Sequence, residues 1–351
     1  MRIVKVVLYG ISLFLMTVII SRGSYAGTAP EKGGAAGIKK LNIAILCESP
    51  IDEPYTSSLV QSLERVKKEK PHGIDINWDV LEDIYLPDSG RVFRSLAKAG
   101  KYDVIWGHSP YTPAIKDIYK KYPNILWVVA GSGNEALGNN FLWVDMQVNE
   151  SAYLLGMLAG LMTKSNVISA VAGYPTPDVN HAINGFFDGA KAVNPDIKYV
   201  ITYIESWFDP PKAREAALAQ IAVGSDYIYA ERFGPFTAAK EKGVFAIGQY
   251  RDQADMAPEV VVSSPLALWD QVVKYIVEQV WIHKTTGQPY QEPLEKVIYN
   301  MKEGGTDIAP FHAFDSKIPP EVKGKIMKAR QDILDGKLVI PYRPEPVTSS
   351  R

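Results

Sequence analysis

The sequence holds a single cysteine, Cys47, in 351 residues. One thiol excludes an intramolecular disulfide and any metal site built on cysteine pairs. Cys47 ends an apolar run and reads as a small core residue. Histidine is sparse too. His72, His108, His181, His283 and His312 are scattered, without the short spacings that gather ligands around zinc. No resident metal and no cofactor are expected. Neither charge sign prevails: 38 basic residues against 39 acidic ones give a formal charge of −1. Basic stripes are missing, which argues against a nucleic-acid partner. There is no G-x-S-x-G elbow, H-E-x-x-H pair or P-loop. The nearest approach to a dinucleotide fingerprint is Gly131-Ser132-Gly133-Asn134-Glu135-Ala136 after a strand. That fingerprint needs a helix next, because the helix amino terminus holds the pyrophosphate. Here Gly138-Asn139-Asn140 and another strand follow, so a loop is expected. Acid pairs such as Asp52-Glu53 lead into a helix, where capping is the ordinary role. An enzyme is not the expected reading.

Long apolar runs are also lacking, apart from one at the start. Val6 to Ile20 spans about 15 residues, short of the roughly 20 that a membrane-crossing helix needs. Arg2 and Lys5 precede it and Ser24-Tyr25-Ala26 follows as a small-x-small cleavage pattern. Residues 1–26 are therefore expected to be a removed targeting segment. No cysteine follows the run, so a lipid-modified terminus has no candidate, and the periplasm is the expected location. Residues 27–39 form a Gly/Ala/Lys-rich leader, expected to be disordered.

What the rest contains is alternation. Strand-like runs at 41–46, 75–80, 102–106, 125–129 and 141–144 are separated by helical patterns. A second series starts near Asn149. Ala152, Leu155, Leu158, Ala159 and Met162 recur at helical spacing. Gly156 and Gly160 let that helix lie close against something flat. Val167 to Ala172 reads as a buried strand. Gly173-Tyr174-Pro175-Thr176-Pro177-Asp178 must be a loop, with Asp178 able to cap the helix beyond. Asp209 caps another helix with Pro210 in its first turn. A long helix from Leu266 to about Thr285 and a last one from Pro320 to Asp335 follow. Such alternation argues parallel sheets with helices on both faces. In open α/β sheets, ligands bind at the carboxyl ends of the strands.

The central stretch resembles the basic membrane protein family, the substrate-binding components of ABC importers for purine nucleosides or nucleobases. The resemblance rests on Tyr153-Leu154-Leu155-Gly156, Leu158-Ala159, the Gly173-to-Pro177 loop, Gly185-Phe186 and Gly189-Ala190-Lys191-Ala192-Val193-Asn194-Pro195. Tyr122-Pro123, Phe208-Asp209-Pro210, Ala239-Lys240-Glu241-Lys242-Gly243, Ile247-Gly248 and Asp335-Gly336-Lys337 extend it over nearly the whole mature chain. It implies an α/β protein of the type I periplasmic-binding fold, with two Rossmann-like lobes and a ligand cleft between them. One lobe would comprise residues 40–144 plus about 263–294. The other would comprise 145–262 plus about 295–351. The partners implied are a small purine-like molecule and an inner-membrane ABC permease, with the protein itself a monomer.

Aromatic and polar residues at strand ends are the site candidates: Tyr55, Trp106, His108, Ser109, Tyr174, Trp207, Arg232, Phe233, Gln249 and Tyr250. Aromatics on both walls of a cleft can sandwich a flat ligand, with a few polar groups fixing its orientation. The sequence departs from the nucleoside-binding pattern of Asp-x-Ser-Phe-Asn, reading Asp52-Glu53-Pro54-Tyr55-Thr56. Tyr250 stands where that pattern carries an aspartate, and no lysine lies near Ser264-Pro265-Leu266-Ala267. The resemblance therefore implies a free nucleobase such as adenine rather than a ribonucleoside. The same fold could instead serve a periplasmic sensor acting with a membrane receptor or regulator.

Overall fold

Two parallel sheets carry the structure, a computed structural model that describes residues 38–350. The expected targeting segment and most of the leader lie outside the described residues. The first series runs β1 (Lys40–Leu46), α1 (Pro54–Glu69), β2 (Asp75–Leu81), α2 (Leu86–Ala99), β3 (Val104–Gly107), the single turn α3 (Thr112–Ile115), β4 (Leu126–Ala130) and β5 (Phe141–Met146). The second runs α4 (Asn149–Met162), β6 (Val167–Ala172), α5 (Pro177–Val193), β7 (Lys198–Tyr203), α6 (Pro210–Ala222), β8 (Tyr227–Ala230), α7 (Pro235–Lys242), β9 (Phe245–Ile247) and β10 (Val261–Ser263). The chain closes with β11 (Pro265–Ala267), α8 (Asp270–Thr286), β12 (Val297–Tyr299), β13 (Thr306–Ile308) and α9 (Pro320–Leu334).

The sheet orders are β12-β5-β4-β3-β1-β2 and β10-β9-β8-β6-β7, with every pairing parallel. Strand periodicity sends alternate side chains to opposite faces. In β1, Ile43 and Ile45 join Leu59 and Leu63 of α1, while Ala44 and Leu46 join Phe93 of α2. Helices thus cover both faces, and every residue of β3 and β4 is buried. Cys47 is buried just past β1, and desolvation pushes its thiol up to about 12.

The structure departs from expectation in four places. Val297–Tyr299, expected with the second half, pairs in register with Val144–Met146 and forms the edge of the first sheet. The helix expected from Leu266 starts only at Asp270, because Pro265–Ala267 pair antiparallel with Thr306–Ile308 in a two-stranded ribbon. The helical pattern between the strand runs at 102–106 and 125–129 forms only a single turn followed by a 3-10 turn. Gly156 and Gly160 do not face a sheet. A Cβ on Gly156 would lie 1.8 Å from the Phe186 carbonyl oxygen of α5, and one on Gly189 2.0 Å from that of Tyr153 in α4. Glycines on both helices thus let α4 and α5 meet backbone to backbone.

The chain passes between the two sheet systems three times. After β10 it returns to the first, where Arg65 of α1 pairs with Asp270 of α8 at 2.6 Å. After β12 it goes back to the second. There residues 340–350 run across α4, α5 and β7. Asn149 Nδ2 donates to the Pro341 carbonyl at 3.1 Å and Asn184 Nδ2 to that of Arg343 at 2.9 Å. Ser350 N donates to the Tyr199 carbonyl at 3.0 Å, covering the outer edge of the second sheet. No helix among the described residues is long and apolar enough to cross a membrane.

Candidate functional site

The carboxyl ends of the two sheets face each other across a cavity of about 70 Å³. Each wall is built by the turn that follows a strand. After β1 the chain must leave the sheet and start α1. Glu53 is the N-cap of that helix, accepting from the Tyr55 amide at 2.9 Å, with Pro54 at the first position. Capping therefore fixes where Tyr55 stands. Its ring stacks on His108, just past β3, with centroids 4.1 Å apart and planes 17° from parallel. His108 Nε2 lies 3.1 Å from the Tyr55 carbonyl, which can only accept, so Nε2 carries the proton and Nδ1 a lone pair. Burial holds the His108 pKa down to about 3 and the ring neutral. Trp269 closes the platform from behind, edge-on to Tyr55 at 5.6 Å and to His108 at 5.1 Å. Gly131 gives the floor. A Cβ there would sit 3.2 Å from the Tyr55 hydroxyl, and its φ of +84° suits glycine.

The opposite wall comes from the loops after β6, β7 and β8. Arg232 carries it, lying 5.3 Å over the Trp207 ring. Its Nε donates to Glu231 at 2.8 Å and its Nη1 to Glu53, on the other wall, at 3.0 Å. Nη1 also reaches the Trp207 carbonyl at 3.2 Å, and Nη2 bonds the second oxygen of Glu231. Desolvation pushes the Glu53 carboxyl up, and the Arg232 charge pulls it back. A second bond crosses lower down: the Ser132 hydroxyl donates to Asp178 at 2.7 Å. Tyr250, at the end of the β9 turn, meets Tyr55 edge-on at 5.2 Å.

Six expected residues, Tyr55, His108, Ser109, Trp207, Arg232 and Tyr250, thus line one cavity. Four do not, for separate reasons. Trp106 is wholly buried against Trp269. Gln249 turns inward, where Tyr229 donates to it. Phe233 packs on Phe208 at 6.1 Å. Tyr174 is exposed and leans on Trp207 from outside. Among the residues the reading missed are Glu48, Ser132 and Asp178. Asp178, expected to cap α5, lies in its first turn instead, with Thr176 at the N-cap. Its sequence signal was an acid in a loop at a strand's carboxyl end. The Gly131-to-Ala136 segment is the expected loop. No group of three or more metal-ligating side chains gathers among the described residues.

Two parallel sheets meeting a cavity at their carboxyl edges define the type I periplasmic-binding fold, and solved structures agree. A solute-binding protein of an ABC transporter system from Aeropyrum pernix superposes with a TM-score of 0.70, 18% identity, and 86% and 94% coverage of the two chains. A transcriptional activator of the comK gene from Bacillus halodurans gives 0.68, 21% identity, and 85% and 99% coverage. Residues 40–331 match the family of PnrA-like ABC transporter substrate-binding proteins, Bmp, and the chain belongs to that family. Curated relatives diverge in what they are named for. A protein of Haloferax volcanii whose name points to glucose binding is 29% identical, covering 76% of this chain and 66% of its own length. A purine-binding protein of Brucella abortus is 26% identical, over 72% and 69%. The chain thus spans about two thirds of the length of these relatives.

Proposed function

We propose that the protein is the periplasmic component of an importer, capturing a small planar ligand, a purine nucleobase in the first instance, for an ABC permease. The observation that carries this is the pairing of Tyr55 on one wall with Trp207 on the other, across a cavity lined also by His108, Tyr250 and carboxylates. The two sheet systems act as lobes that open to admit the ligand and close on it. Closure is favoured only by a ligand that touches both walls, because one that touches a single wall binds both states alike. Tyr250 and the absence of a lysine near the ribbon leave a ribose without its usual holders, which favours the free base over the nucleoside.

A thermal-unfolding scan against purines, pyrimidines, their nucleosides and a few sugars tests the reading. A ligand at a hundredfold excess over its Kd adds about 2.7 kcal/mol. A rise with a free base and none with glucose supports it. A rise with glucose alone would move the protein towards its haloarchaeal relative's name. A second reading, ligand sensing through a regulator, is favoured by the likeness to the Bacillus halodurans activator. Uptake of labelled base that persists after deletion of the gene would favour sensing over transport.

A further inference from the structure

We infer that the cavity selects a planar heterocycle rich in N–H donors, an amino-substituted base that is neutral or cationic, and rejects oxo bases and phosphorylated ligands. This rests on the planar-ligand reading above and names the chemical class within it. Acceptor capacity exceeds free donors among the lining side chains, because a carboxylate takes several hydrogen bonds. Glu53, already bonded by Arg232 and the Tyr55 amide, and Asp178, bonded by Ser132, keep lone pairs, while the Ser49 and Ser109 hydroxyls can give or take. Glu48, Glu53 and Asp178 line the cavity, and Glu231 stands behind Arg232. The one guanidinium among them is already engaged by Glu231, Glu53 and the Trp207 carbonyl. It balances the wall rather than offering itself to an anion.

The independent observation is His108. It lines the cavity at 1% exposure, and its Nδ1 has no hydrogen-bond partner among the described residues. Since Nε2–H is committed to the Tyr55 carbonyl, the orphaned Nδ1 is a buried lone pair. Leaving such a group unpaired is costly, so a ligand that donates to it is preferred over one that cannot. The Tyr55 hydroxyl is likewise buried and unpartnered among the described residues, and it can donate or accept. Around these groups stand Tyr55, Trp207 and Tyr250, whose faces also favour a cation. An oxo base would turn carbonyl oxygens toward carboxylates. A phosphate would meet Glu48 and Asp178 without a free cation among the cavity-lining residues.

Calorimetry on the purified protein with two matched pairs, adenine against hypoxanthine and cytosine against uracil, reads this directly, with adenosine monophosphate as the anionic probe. The amino member of at least one pair is expected to bind roughly ten- to a hundredfold tighter than its oxo partner, with the nucleotide weaker than either. Glu48→Gln and Asp178→Asn should each narrow that ratio while the protein still unfolds cooperatively. Oxo members binding as tightly as amino members, or a nucleotide binding best, would overturn the inference and leave the planar-ligand reading standing. Ratios unchanged in both variants would overturn the role given to the carboxylates. Binding by none of the planar probes would instead overturn the planar-ligand reading, and this inference with it.

Discussion

The two walls of the cavity are built differently. The wall after β1 and β3 is a platform. Tyr55 lies on a neutral, buried His108, and Trp269 supports both, with its indole donating to Ser58 at 2.9 Å. The facing wall is a set of loop residues. Trp207 is half-buried, Tyr174 exposed, and their order depends on Arg232, which reaches across to Glu53. One wall is held by packing from its own side. The other is held by a charge pair with the first. The contrast teaches where rigidity is stored: an aromatic stack sets the shape of one wall, and an ion pair ties the second wall to it.

The largest way to break that comparison is to remove Arg232. Arg232→Met strands Glu53 and Glu231 in the interior, and losing one partner of a buried ionic network costs about 3–5 kcal/mol. Chemical denaturation should read that loss. A value below about 1 kcal/mol would mean the second wall does not hang on this residue. Packing comes next. Trp106→Ala empties a wholly buried site behind the platform and should cost about 3–5 kcal/mol. Trp207→Ala should leave the unfolding midpoint nearly unchanged and weaken binding of the proposed planar ligand at least tenfold, about one ring stack's worth. Equal losses of stability in both would erase the distinction between platform and loops.

Acid sharpens the contrast further. His108 takes up its proton near pH 6.5 in the unfolded chain and only near 3 in the folded one. The unfolded state therefore binds more protons between these values, and the stability His108 contributes is full above 6.5 and lost as pH falls toward 3. Asp145 and Glu292, whose carboxyls burial raises to about 6, act in the opposite sense below that pH. Comparing His108→Gln with the parent isolates the histidine. The variant's acid limb should be shallower by up to about 1.4 kcal/mol per pH unit, measured by urea titrations from pH 7 to 4. The smallest effect is expected from Ser132→Ala, which removes the lower bond to Asp178 and should cost about 0.5–1.5 kcal/mol.

Much of this was legible in the sequence because burial and periodicity are local signals. The apolar runs of β1, β3 and β4 are buried on both faces, and they read as strands for that reason. That Tyr55 and Trp207 line the cavity could be anticipated because a large aromatic just past a strand is set beside the sheet's carboxyl edge. Trp106 misled because it is the last but one residue of β3, still inside the sheet, where the ring points into the core. Gln249 misled because a buried Tyr229, far away in sequence, takes its amide. The strand Val297–Tyr299 and the ribbon of β11 with β13 went to the wrong places because three-residue strands carry no period of their own. Their placement is decided by partners more than a hundred residues away in one case and some forty in the other. Asp178 and Glu53 each had a local capping role to suggest. Only the opposing wall shows that their carboxylates also cross the cleft.

The threefold passage of the chain bears on the order in which the molecule can be completed. A polypeptide emerges amino end first. The first sheet then waits for β12 to cover the edge of β5, and α1 waits for α8. The second sheet waits longer still, until Ser349 and Ser350 reach β7. Until that moment an open strand edge is presented to any neighbouring chain, the kind of edge on which nascent proteins aggregate. A chain that stops short by a dozen residues would keep every cavity-lining side chain and still lack the strip that seals β7. Its failure would show as insolubility before it showed as lost binding.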